Sequence, residues 1–225
     1  MYRLVVVAAV PIIAIGAVSA ASARAPRDAW SVTRTADPIT GASSCVVAAY
    51  DQVGRSKYTR FGFLYPVVEN NSKLGLLVGV SSGGQYRVPT GDILWRVDSL
   101  PFRQLRATDN PAGTPAFSIP APPPTGNPAV DEATADAMAN AMRASTAMLA
   151  TSTVASGALA RDMVLELLNG RSLLYRQASV SPAYGLPSSS TYAEGQVTSE
   201  GLRPIPLDQS FRTGLAACGI NPAQL

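Results

Sequence analysis

The strongest constraint on this 225-residue chain is a stretch that can be neither helix nor central strand. Residues 111–128 hold seven prolines, among them Pro122-Pro123-Pro124. Proline fixes φ and removes a backbone donor, so such a run is stiff, extended and polyproline-like. The chain before it and the chain after it must therefore each supply their own regular elements. A proline-reading partner could dock on this segment, but a plain connector explains its composition with less.

Before the break, residues 30–110 have strand character. Trp30-Ser31-Val32 opens it, and Cys45-Val46-Val47-Ala48-Ala49-Tyr50 follows the turn that begins at Asp37-Pro38. A period of two puts Phe61, Phe63 and Tyr65 on one face, Leu74, Leu76, Val78 and Val80 on another, and Ile93, Trp95 and Val97 on a third. Short one-sided runs parted by Gly, Asn and Ser predict an antiparallel sheet with a covered face. The aromatic stripe reads as core. If it faced water it would instead mark an interface.

After the break the pattern turns helical. Asn127 is a good N-cap, Pro128 suits the first helical position, and Asp131 and Glu132 complement the helix N-terminus. Met138, Met142, Ser145 and Leu149 form the predicted stripe, and Thr151-Ser152-Thr153 interrupts the helix. A second helix is predicted over 157–168 with Leu159, Met163 and Leu167 inward, stopped by Asn169-Gly170. Residues 172–176 read as a returning strand and 181–201 as a long loop. Asp208 to Cys218 reads as a last helix that carries its cysteine inward. The fold expected is α+β: an antiparallel sheet or sandwich-like first part, two helices, a strand and a terminal helix. A mainly β sandwich is the alternative.

The N-terminus reads as an address. Arg3 precedes an apolar run from Leu4 to Val18, and Ala21-Ser22-Ala23 makes an A-x-A cleavage site, with Val18-Ser19-Ala20 the next choice. Residues 1–23 are thus expected to be a signal peptide and 24–225 one mature domain. Within it lie the strand-rich part 30–110, the connector 111–128, the helical part 128–169 and the closing part 170–225. The apolar run is shorter than the roughly 20 residues that span a bilayer, so no membrane span is expected after cleavage. Export makes Cys45 and Cys218, the only cysteines, more readily a structural disulfide than two thiols.

The sequence contains no histidine. That excludes Ser-His-Asp and Cys-His catalysis, His-ligated metals and imidazole switching. Gly79-Val80-Ser81-Ser82-Gly83 matches G-x-S-x-G, but the usual base is missing and no helix pattern follows. A strand running into a glycine-rich turn explains it. No dinucleotide or P-loop fingerprint occurs, so no cofactor is expected, and two cysteines build no zinc or iron–sulfur site alone. Carboxylate chemistry needs no histidine, and its candidates are Asp92 with Asp98 and Asp162 with Glu166. A turn residue and a solvated helix face explain these pairs more simply.

The net charge is +3, carried by sixteen arginines and only two lysines, all dispersed. Nucleic acid binding would require a dense basic stripe and a recognisable module, and neither is present. Arg96, Arg103 and Arg106, with Arg87 upstream, are the nearest thing to a cluster and form the candidate anion contact.

Three segments carry a resemblance. Trp30-Ser31-Val32, Gly170-Arg171-Ser172-Leu173 and Leu207-Asp208-Gln209-Ser210-Phe211-Arg212-Thr213-Gly214-Leu215 resemble the start, late strand and end of the invasion-associated locus B family of exported bacterial proteins. Arg34 stands near where that family commonly has a cysteine, Ser210 where glycine is usual and Gly214 where alanine is usual. The 111–160 section looks additional. The resemblance implies a β-sandwich-like exported protein linked to the envelope and host interaction, and no functional residue is carried over from it. The expected function is a non-enzymatic periplasmic or secreted binding or envelope-support module, its partner an envelope component of unknown identity. The alternatives are a histidine-free carboxylate hydrolase and a subunit of an envelope complex.

Overall fold

A computed structural model describes residues 28–53, 56–111, 125–178 and 204–225. The expected signal peptide, the loop over 181–201 and all of the connector but its ends lie outside these residues.

Among the described residues the strands form two principal antiparallel sheets. The larger joins β1 (Ser31–Ala36), β2 (Ser43–Ala48), β5 (Leu64–Asn71), β6 (Gly75–Ser82) and β9 (Ser152–Ser156) in the order β1-β2-β5-β6-β9. A small hairpin, β3 (Asp51–Val53) and β4 (Ser56–Tyr58), leaves it between β2 and β5. The smaller sheet runs β11-β10-β7-β8, from β7 (Ile93–Val97), β8 (Arg103–Leu105), β10 (Ser172–Gln177) and β11 (Ile205–Pro206). Three α-helices complete the described fold: α1 (Pro128–Leu149), α2 (Gly157–Asn169) and α3 (Gln209–Ala217). The architecture is α+β.

One core lies between the sheets. Val47, Leu64, Val68, Val78 and Val80 of the larger sheet share it with Ile93, Trp95, Val97, Leu173 and Tyr175 of the smaller. The Tyr175 hydroxyl crosses between the layers and donates to the Leu64 carbonyl at 2.8 Å. α2 adds Ala160, Met163, Val164 and Leu167, and α3 adds Phe211 and Leu215. Trp30 closes one end: its ring lies 4.7 Å from that of Phe211, and its indole N–H donates to the Pro206 carbonyl at 2.8 Å.

Caps set the helix boundaries where side chains can reach. Asn127 accepts from the Ala129 amide at the start of α1, and Asp208 accepts from Ser210 and Phe211 at the start of α3. Gly219, with φ +70°, ends the last helix in the left-handed region that favours glycine. Cys45 and Cys218 are bonded, Cα to Cα 5.3 Å, tying β2 to the end of α3.

Five sequence expectations need correction. Phe61 does not share the stripe of Phe63 and Tyr65. It lies in a turn and is 56% exposed, while the other two are buried. Leu74 likewise belongs to the turn before β6. Leu159 is exposed, and the buried face of α2 runs through Ala160, Met163, Val164 and Leu167. In α1 only Ala147 is buried, and Leu149 is 76% exposed. Of residues 151–153, expected only to interrupt a helix, Ser152 and Thr153 begin β9, which pairs with β6 along its length.

Candidate binding cavity and anion-contact residues

The central strands of the larger sheet are apolar on both faces. On the side away from the core, Val46, Val67, Leu77 and Val154 floor a cavity of about 400 Å³. The register explains how four strands converge there: Val46 pairs with Glu69, Glu69 with Leu77, Val67 with Gly79, and Gly79 with Val154. Opposed residues of an antiparallel pair point to the same side, so this set forms one surface. Tyr65 and Glu69 lie four residues apart on β5, about 13 Å of strand, and mark its two ends.

The Tyr65 end is polar and rigid. Arg60 makes two contacts to Asp51, Nε to Oδ2 at 2.7 Å and Nη2 to Oδ1 at 3.1 Å, while its guanidinium lies 3.7 Å above the Phe63 ring. The Tyr65 hydroxyl donates to Asp51 Oδ2 and accepts from the Arg60 amide at 2.9 Å. Burial, and then the bond to Asp51, pushes the Tyr65 phenol well above its ordinary pKa. Tyr50 stands edge-on to Tyr65, ring centres 5.8 Å apart. Burial also raises its pKa, against the opposing pull of Arg87. Exposed Arg87 lines the cavity at this end. At the far end the Glu69 carboxylate accepts from Ser44 Oγ at 2.6 Å and Asn71 Nδ2 at 2.8 Å. The arrangement is a trough with an apolar floor, donors at one end and a fixed carboxylate at the other.

The G-x-S-x-G segment has a packing explanation. A Cβ on Gly79 would lie 2.1 Å from the Thr153 carbonyl oxygen, so glycine lets β9 approach β6. A Cβ on Gly83 would lie 2.3 Å from the Tyr65 ring and 2.9 Å from the Arg60 carbonyl, so glycine makes room for that ring. Ser81 opposes Tyr65 in register and lines the cavity, its Oγ 3.5 Å from the Ser82 carbonyl oxygen.

The three candidate anion-contact arginines are not brought together. Arg103 opposes Trp95 in register, which puts it on the core-facing side of the smaller sheet. There it holds Glu166 of α2, Nε at 3.1 Å from both carboxylate oxygens and Nη2 at 2.5 Å from one. Arg96, one residue past Trp95, is exposed on the opposite face, and Arg106 is exposed just beyond the end of β8. Arg87 belongs to the cavity on the other sheet. Arg96 has a neighbour that sequence distance hid: Arg176 of β10, on the same outward face.

Of the paired carboxylates, Asp162 is exposed on α2 and the other three are committed elsewhere. Asp92 accepts from the Ala107 amide at 2.9 Å and from Gln104. Asp98 accepts from the Arg171 and Ser172 amides and from Ser172 Oγ, and the Arg171 amide leads in holding its carboxyl below the usual range. Glu166 is paired with Arg103. Among the described residues no group of three or more acidic or cysteine side chains is placed to hold a metal ion, and no helix is long and apolar enough to cross a membrane.

No protein-family model, curated protein or solved structure matches the chain.

The cavity escaped sequence reasoning because its walls come from segments as far apart in sequence as Val46 and Val154. Its one local signal was the apolar residue on the supposedly polar phase of a strand, as at Leu77 between Leu76 and Val78. Apolar residues on both phases mean a strand covered on both faces.

Proposed function

We propose that this chain is an exported, disulfide-clasped binding protein without catalytic activity, periplasmic or secreted, that holds an elongated small molecule over the outer face of its larger sheet. The observation that carries this reading is the cavity: about 400 Å³, apolar along its floor and polar at both ends. A concave apolar site with few fixed polar groups is the usual form of a small-molecule site. The Cys45–Cys218 bond, the signal-like N-terminus and the absence of histidine from the sequence support the rest. The resemblance to the invasion-associated locus B family points the same way, toward an envelope-support or host-interaction role.

The hydrolase alternative draws no support from its carboxylates. A general acid needs a carboxyl pushed up, whereas Asp98 is held down and Glu166 is tied to arginine. The complex-subunit alternative keeps only part of its first marker, because Phe61 is exposed but Phe63 and Tyr65 are buried.

A thermal-shift screen of small metabolites against the chain and its Ser152→Trp variant tests the reading. Ser152 lines the cavity on edge strand β9, so tryptophan there obstructs it without entering the core. Compounds that raise the melting temperature of the parent and lose that effect in the folded variant are expected. If no compound shifts the parent, or if shifts survive unchanged in Ser152→Trp, the cavity is not the binding site.

A further inference from the structure

The outer face of the smaller sheet carries a second feature, independent of the cavity. Leu94 and Arg96 of β7 lie beside Leu174 and Arg176 of β10, with Leu174 opposite Arg96 and Arg176 opposite Leu94. The result is a chequered surface, each arginine diagonal to the other at about 7–8 Å between backbones. Phe102, 65% exposed, completes a groove of about 330 Å³ over the two leucines. Among the described residues neither guanidinium meets an acid. Arg96 Nε donates to the Asp98 carbonyl at 2.9 Å, and Arg176 Nη1 to the Gln177 carbonyl at 3.0 Å. The nearby Asp98 carboxylate is occupied by the Arg171 and Ser172 amides. Two cations therefore flank an apolar strip that no acidic side chain lines among the described residues.

We propose that this groove docks an acidic protein partner, which sets carboxylates on Arg96 and Arg176 and an apolar side chain between Leu94, Leu174 and Phe102. Charge complementarity selects the partner. A guanidinium is built for a carboxylate, with several donors in one plane, and exposed aromatic and arginine side chains around an apolar centre are the composition of interface hot spots. A second copy of this chain does not fit, because a two-fold contact would press arginine against arginine. Membrane attachment through basic residues draws on clusters of about 4–8 cations, and here there are two. A small molecule would leave much of its surface wet in a groove whose wall is a largely exposed phenylalanine. Carboxylates two residues apart on an extended segment lie on one face about 7 Å apart, which matches the arginine diagonal.

An NMR titration tests this with two acetylated heptapeptides amidated at the C-terminus, Gly-Glu-Gly-Glu-Gly-Phe-Gly and its glutamine counterpart Gly-Gln-Gly-Gln-Gly-Phe-Gly, whose three longer side chains share one face when extended. At millimolar concentration the acidic peptide is expected to shift the backbone amides of 94–96, 102 and 174–176. The glutamine peptide is expected to bind at least tenfold more weakly, and the Arg96→Glu, Arg176→Glu double variant to lose the response while its other amides stay in place. Equal responses to the two peptides, or none at these positions, would overturn the proposal. So would cosedimentation with phosphatidylglycerol vesicles that the double variant abolishes, since that would assign the face to a membrane.

Discussion

At the scale of single residues, backbone conformation and close approach explain what the motif pattern did not. Gly79 and Gly83 read as the frame of a nucleophile motif, yet each is where a methyl group would collide with its neighbours. Gly79→Ala meets main chain of β9, which cannot rotate away, and is expected to cost the upper part of the roughly 1–3 kcal/mol usual for overpacking. Gly83→Ala meets a ring edge and the Arg60 carbonyl, and urea denaturation should place its loss within the same range. Asp98 is the other telling residue. It is the only non-glycine of positive φ, at 47°, among the described residues, and its carboxylate caps the start of β10. Because its folded-state pKa is lowered, the ionised form stabilises the fold above the ordinary carboxylate range, and that contribution is lost as pH falls through the folded value. Asp98→Asn keeps a residue that tolerates this backbone conformation. It should melt below the parent at pH 7, with the gap closing as both are taken below about pH 4. A gap that stays constant across that range would show that the charge is not what matters.

At the scale of elements, the legible parts were those whose pattern is internal. Ile93, Trp95 and Val97 alternate cleanly and are core, and the cap at Asn127 stands where the sequence placed it. Errors fell where a neighbour decides the state. Phe61 continues a period-two stripe on paper, but Gly62 at φ +79° turns the chain before β5 begins. Ser152–Ser156 has only Thr153 and Val154 as strand formers and lies between two helices. It is a strand because β6 pairs with it and because Thr153 reaches across to the smaller sheet's approach loop. There Thr153 Oγ1 contacts Thr90 Oγ1 at 2.7 Å and donates to the Gly91 carbonyl at 2.6 Å. Thr153→Val removes both bonds at a fully buried position and leaves Thr90 with fewer partners, so a loss of about 1–3 kcal/mol is expected. Chemical denaturation checks the value, and an effect near zero would mean that the pairing with β6 alone holds β9. The candidate site was the least legible part. Tyr50, Tyr65, Arg87 and Val154 come from distant segments, and Arg96 meets Arg176 across eighty positions of sequence, a proximity that only strand register creates.

At the scale of the molecule, two sheets share one core, and the Cys45–Cys218 bond joins the second strand to the last helix across 173 residues. A loop of that length is worth roughly 4–5 kcal/mol in the chain-entropy account. The Cys45→Ser, Cys218→Ser double variant should therefore melt about 10 °C or more below the parent, and reductant should lower the parent's melting temperature toward it. The clasp, the proposed export and the proposed cargo meet in a single measurement: mass spectrometry of the protein taken from its own exported fraction, native and then denatured, with and without reductant. The account predicts a denatured chain that begins just after residue 23 and gains two hydrogens on reduction, and a native species heavier than that chain by one small molecule that Ser152→Trp fails to retain. A full-length chain with free thiols, or a native mass equal to the denatured one in both proteins, would contradict it.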